Sequence, residues 1–240
     1  MPKPFEKWTV LPHGKLTEID DGLLTVVGDL HMPLGDFPRR MTVVRLQNGK
    51  LVIYSAIALH DDEMRELERY GTPAFLVVPS EIHRLDAKTW RDRYPNIVVV
   101  AAAGSREKVD EVVTVDATDV DFGDPDVSFI TVPGTDRIEA AIVVERPGGS
   151  TLIVNDIIWN VDNLPGIGGW VMKKLGFTGE EPKIPPFVAK KRIDDKDAFC
   201  TQLRAWAALR DLRRIIVSHG AIIEREPPSV LRGLAARLAA

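Results

Sequence analysis

Thr151-Leu152-Ile153-Val154-Asn155-Asp156-Ile157-Ile158-Trp159-Asn160 is the stretch from which the fold is read. A short apolar, β-branched run ending in an acid predicts a buried strand with a carboxylate at its tip. Open α/β sheets bind their ligands at such strand ends. Arg214-Ile215-Ile216-Val217-Ser218-His219-Gly220 has the same form and ends in an imidazole and a glycine. The two strands would carry Asp156 and His219, both metal-capable, to one edge.

Working outward, the 240 residues are 45% hydrophobic, enough for a substantial core, and one domain spanning 1–240 is expected. A formal charge of −4 offers no electrostatic reason for nucleic-acid or anionic-membrane binding. The single cysteine, Cys200, excludes an intramolecular disulfide and a thiolate zinc cluster. Residues 1–8 show no apolar stretch of a secretory leader, and no apolar run approaches the ~20 residues of a membrane span. The expectation is a cytoplasmic protein acting on a small molecule, as a monomer or homo-oligomer.

Residues 1–20 read as a polar arm, since Pro2, Pro4 and Pro12 discourage a helix. Leu23–Val27 predicts the first strand, and Gly28–Pro38 a loop interrupted by glycine and proline. Met41–Leu46 and Leu51–Tyr54 flank Asn48-Gly49, a hairpin signal. Asp61–Tyr70 has helical spacing, with acids at its start and Gly71 at its stop. Phe75–Val78 and Ile97–Ala101 predict buried strands, with short helices at Asp86–Arg93 and Ser105–Val109. Val112–Val115, Val127–Thr131 and Ala140–Val144 suggest consecutive antiparallel strands. Residues 161–195 form an irregular insertion with one helix near Trp170–Leu175. Amphipathic helices follow at 196–209 and from Pro227 onward. This is mixed α/β order, which two packed sheets flanked by helices would accommodate.

The order of strand-end residues resembles the metallo-β-lactamase superfamily, a four-layer αββα sandwich. There a strand ends in Thr-His-x-His-x-Asp-His, a later Pro-Gly-His turn supplies a ligand, an Asp follows a strand like Leu-Leu-x-Gly-Asp, and a last His sits in a Gly-His-Gly-like turn. Phe75–His83, Thr131–Thr135, Leu152–Asp156 and Ile216–Gly220 stand in those places. The resemblance covers roughly residues 22–225. Met41–Leu46, Ser55–Leu59, His83, Trp90 and Tyr94-Pro95 resemble one uncharacterised branch of the superfamily. The departures are that Ser80 and Ile82 fall where histidines could stand and Thr135 replaces the histidine of the turn.

The resemblance implies a reduced metal site, at most mononuclear, of His83, Asp156 and His219. Three protein ligands and an open position suffice for zinc to activate a water, and the same set suits iron or manganese. Asp86, Glu81 and Thr135 are candidates to orient the ligands, although Asp86 also suits the start of the helix that follows it. Asp29 and His31 lie in the predicted loop that would fold over the rim. Lys190–Arg192 and Arg210, Arg213 and Arg214 are basic clusters, read either as solvated helix faces or as a hold for an anionic substrate near the rim, and Trp170–Met172, Phe177 and Phe187 are apolar residues for a pocket or subunit interface. Two readings stay open. One is a metal-dependent, hydrolase-like protein of unread substrate. The other is a catalytically inactive superfamily member that uses no metal and binds a small molecule or a partner protein.

Overall fold

In the computed structural model, which describes residues 3–32, 35–163 and 165–239, strands and helices follow each other in mixed order. The strands are β1 (Thr17–Asp20), β2 (Leu23–Met32), β3 (Gly35–Arg45), β4 (Lys50–Tyr54), β5 (Thr72–Val78), β6 (Val98–Ala101), β7 (Val127–Thr131), β8 (Ala140–Arg146), β9 (Gly149–Val154) and β10 (Leu212–Val217). The helices are α1 (Asp61–Tyr70), α2 (Ala87–Arg93), α3 (Arg106–Asp110), α4 (Gly166–Lys174), α5 (Pro186–Arg192), α6 (Lys196–Ala207) and α7 (Pro227–Ala239). None of them is long and apolar enough to cross a membrane.

One sheet has the order β1-β2-β3-β4-β5-β6 and the other β10-β9-β8-β7. Period-2 alternation divides their side chains between three apolar layers. Val52, Tyr54, Val77, Val100, Ile142, Ile153 and Ile216 pack between the sheets. Their neighbours Leu51, Ile53, Leu76 and Val99 face outward, with Met64, Leu67, Trp90 and Val109 from α1–α3. Leu152, Val154, Ile215 and Val217 face the other way, against Phe199, Leu203, Leu231 and Leu234 of α6 and α7. The result is a four-layer αββα sandwich. It explains why these strands read as unbroken apolar runs: both faces are buried.

The hairpin at Asn48-Gly49 joins β3 to β4 antiparallel, with Gly49 at φ +78. β4, β5 and β6 run parallel, as do β9 and β10. The parallel strands of each sheet therefore end on one rim.

Four local expectations are corrected. Gly28–Pro38 is strand rather than loop up to Met32 and again from Gly35, the two arms pairing from Leu23↔Val44 to Met32↔Gly35; Pro33 and Leu34 lie outside the described residues. Pro38 is tolerated because β4 pairs only with Thr42–Arg45, leaving β3 one open side at the proline. Val112–Val115 is no strand, since the Val112 and Val113 N–H groups donate back to Val109 O and close α3. The arm 1–20 is tied down: Thr17–Asp20 joins the sheet and Trp8 Nε1 donates to Leu59 O at 2.9 Å. Finally, 161–195 holds two helices, α4 and α5, rather than one.

Candidate functional site

Four of the five parallel strands, all but β6, deliver a polar residue to the shared rim beyond their last ladder pair. Ser55 follows β4 at φ +56, Ser80 and His83 follow β5, Asn155 and Asp156 follow β9, and Ser218 and His219 follow β10. The turn after β10 is fixed on both sides. Gly220 (φ +97) lies so close to Asn160 that a Cβ would collide with its carbonyl, so glycine is required there. Asn160 N–H donates to His219 O at 3.0 Å. Arg40, from the other sheet, donates to Val217 O at 3.1 Å and Gly220 O at 2.7 Å. His219 is thus gripped by both sheets before its side chain meets anything.

The three side chains converge. Asp156 Oδ1 lies 3.0 Å from His83 Nε2 and 2.9 Å from His219 Nε2. The three donor atoms lie within 4.8 Å of one another, close enough for one ion to share. Their side chains are 10%, 2% and 7% exposed for His83, Asp156 and His219, so water screens these charges poorly.

For His219 the far side of the ring settles which nitrogen carries a proton. His219 Nδ1 is 2.7 Å from Pro38 O, and a carbonyl only accepts, so Nδ1–H donates. A neutral His219 then turns a bare Nε2 lone pair toward Asp156 Oδ1. Two lone pairs at 2.9 Å repel unless a proton or a metal cation lies between them. His83 Nδ1 meets Ser55 Oγ at 2.8 Å, a contact that orients the second ring. Burial alone would push the Asp156 carboxyl up, but the two imidazoles more than reverse this and hold it well below the usual carboxylate range. Burial lowers the His83 imidazole, with His219 and Arg192 adding to the effect against the pull of Asp156. An ionised carboxylate beside a neutral imidazole is the protonation state a divalent cation requires of its ligands.

Behind Asp156 lies a buried polar chain. Asn155 donates to Ser80 Oγ at 3.0 Å and Glu139 Oε2 at 3.3 Å, and accepts from Ser218 at 2.8 Å. Arg192 of α5 donates to Glu139 Oε1 at 2.8 Å. In front of the site is a cavity of about 220 Å³. Phe37 and Trp159 line it, each ring 4.7 Å from that of His219.

The other expected residues go elsewhere. His83 Nδ1 faces Ser55, not Glu81 or Asp86. Glu81 lies 3.8 Å from Arg192 Nη2. Asp86 neither orients His83 nor caps α2 with its side chain; it pairs with Arg39 and accepts from Ala58 N–H at 3.1 Å. Burial explains this, because a carboxylate 1% exposed needs a cation more than a helix start needs a cap. Thr135 is buried with its hydroxyl donating to Val132 O at 2.7 Å. Asp29 is exposed on β2, where the rim loop was expected; His31 follows it on the same strand, its side chain outside the described residues. Ser55, the Pro38 carbonyl, Arg39 and Glu139 were not foreseen as parts of the site; Arg192, read as one of a basic cluster that could hold an anion near the rim, donates to Glu139. Ser55 did carry a signal, a polar residue ending an apolar strand just as Asp156 does.

No family model matches the chain, and no curated protein does. Solved structures do. The metallo-β-lactamase FIM-1 from Pseudomonas aeruginosa, in a mono-zinc form, is 17% identical with a TM-score of 0.61, over 95% of this chain and 96% of that one. A metallo-β-lactamase from Erythrobacter litoralis is 15% identical with a TM-score of 0.61, covering 92% and 96%. One from Hirschia baltica is 12% identical with a TM-score of 0.60, covering 93% and 98%. The class that fold and site define is therefore a mixed α/β sandwich with a His/Asp cluster at its rim. The fold is the one these metallo-β-lactamase structures share.

Proposed function

We propose that this chain is a metal-dependent, hydrolase-like protein in which His83, Asp156 and His219 hold one divalent cation. The observation that carries this reading is the convergence of His83 Nε2 and His219 Nε2 on Asp156 Oδ1 at 3.0 and 2.9 Å, with His219 Nδ1–H committed to Pro38 O. A cation bound there would supply Lewis acidity toward a carbonyl or phosphoryl group. The chain's own residues do the rest. Ser55 and the Pro38 carbonyl set the ring planes, and Asn155, held by Ser80, Ser218 and Glu139, fixes the backbone beside Asp156. Phe37 and Trp159 shield the His219 imidazole and offer a substrate an apolar wall. Zinc suits two imidazoles and a carboxylate, and so do iron and manganese. The buried Cys200 thiol is compatible with a reducing, cytoplasmic setting.

A second reading, a small-molecule binder without catalysis, is favoured by Ser80 and Thr135. Both stand buried where the resemblance would put ligands, and both hydroxyls are already engaged in the protein's own hydrogen bonds. Elemental analysis of protein purified without chelators separates the two. The first reading expects close to one equivalent of metal, lost in Asp156→Ala. Metal-free protein that takes up neither zinc, iron nor manganese would leave the second.

A further inference from the structure

Arg39 lines the same cavity as His83, Asp156 and His219, with its side chain 8% exposed. Asp86 takes its Nη1 from one side and is itself held by Ala58 N–H at 3.1 Å. The other two nitrogens, Nε and Nη2, are buried without a hydrogen-bond partner among the described residues. They form the side-on edge of the guanidinium. A buried donor edge left unmade is costly, so the edge calls for an acceptor.

We propose that this edge receives the carboxylate of a small, otherwise apolar substrate. Two parallel N–H···O bonds to a carboxylate match the Nε/Nη2 geometry, and Asp86 already locks the guanidinium plane. Arg84 also borders this space but donates its Nη1 to Lys108 O and Glu111; Leu30, Ile82, Leu85 and Phe187 suit an apolar body. A monoanion fits better than a phosphate dianion, whose second charge would stand in a cavity that also contains the Asp156 carboxylate. The inference rests on the proposed function only for which end of the substrate reacts; the binding itself needs Arg39 and the cavity.

The test is calorimetric titration of phenylacetate, phenylacetamide and inorganic phosphate into chelator-stripped protein, because a bound cation would attract carboxylates by itself. Phenylacetate is expected to bind at least about tenfold more tightly than the neutral amide, and to lose about that factor in Arg39→Lys. That variant keeps a positive charge for Asp86 but not the fork. Should it fail to fold, the double variant Arg39→Gln/Asp86→Asn removes both charges together and is expected to show the same loss. Undetectable phenylacetate binding, equal affinity for acid and amide, unchanged affinity in either variant, or tighter binding of phosphate would each overturn the proposal. Metal content, measured separately on Arg39→Lys, is expected to equal that of the wild type. Its absence from both proteins would sink the metal reading and leave the carboxylate result standing.

Discussion

Ser55 and His83 meet through a 2.8 Å contact between Oγ and Nδ1, although they leave neighbouring strands 28 residues apart. A ligating imidazole is oriented by what its other nitrogen touches. Ser55→Ala removes that partner without opening a large cavity. Cation affinity is expected to fall by about 10–100-fold, with secondary structure intact. Competition against a chromophoric chelator measures it, and wild-type affinity in the variant would show that Ser55 does not orient the ring.

The Glu139–Arg192 pair tests how the rim is braced from behind. Glu139 is 0% exposed, and Arg192 reaches it from α5. Arg192→Met strands a buried carboxylate and should cost about 3–5 kcal/mol in a denaturant melt. Adding Glu139→Gln should recover part of that loss, because the stranded charge goes with it. Strictly additive costs would mean that the two residues are not coupled.

Asp86 makes the pH prediction. Burial pushes its carboxyl up, against the opposing pull of Arg39 and Ala58 N–H. A folded value above the unfolded ~3.9 means the unfolded chain gives up this proton first. The stabilising contribution is therefore fully present below about pH 3.9 and is lost as pH rises through the folded value. Asp86→Asn cannot titrate. The unfolding free energy of wild type minus variant should decline across that window in urea melts at stepped pH. A difference that grows with pH would show that Arg39 outweighs burial.

Much of the layer order was legible because a strand buried on both faces must be apolar at every position. Leu152–Val154, Ile215–Val217 and Leu76–Val78 announced themselves in that way, and Asp61–Tyr70 did so by helical spacing. Gly28–Pro38 misled because its local glycine and proline signals were outweighed by pairing with a partner strand. The helix near Trp170 was foreseen, whereas α5 was missed because seven residues opening on Pro186 are too short to show a period.

At the site the division is the same. The chain itself determined that Asp156 and His219 end buried strands, because an apolar run followed by a polar residue must place that residue at a sheet's edge. Only the tertiary structure decided what those residues face. Ser55 with His83, Pro38 with His219 and Arg39 with Asp86 are meetings between separate strands and loops. Residue type and spacing carry no record of which rim two strands share, or of how closely two sheets stack over it. That distance sets whether an imidazole meets water, a carboxylate or a cation.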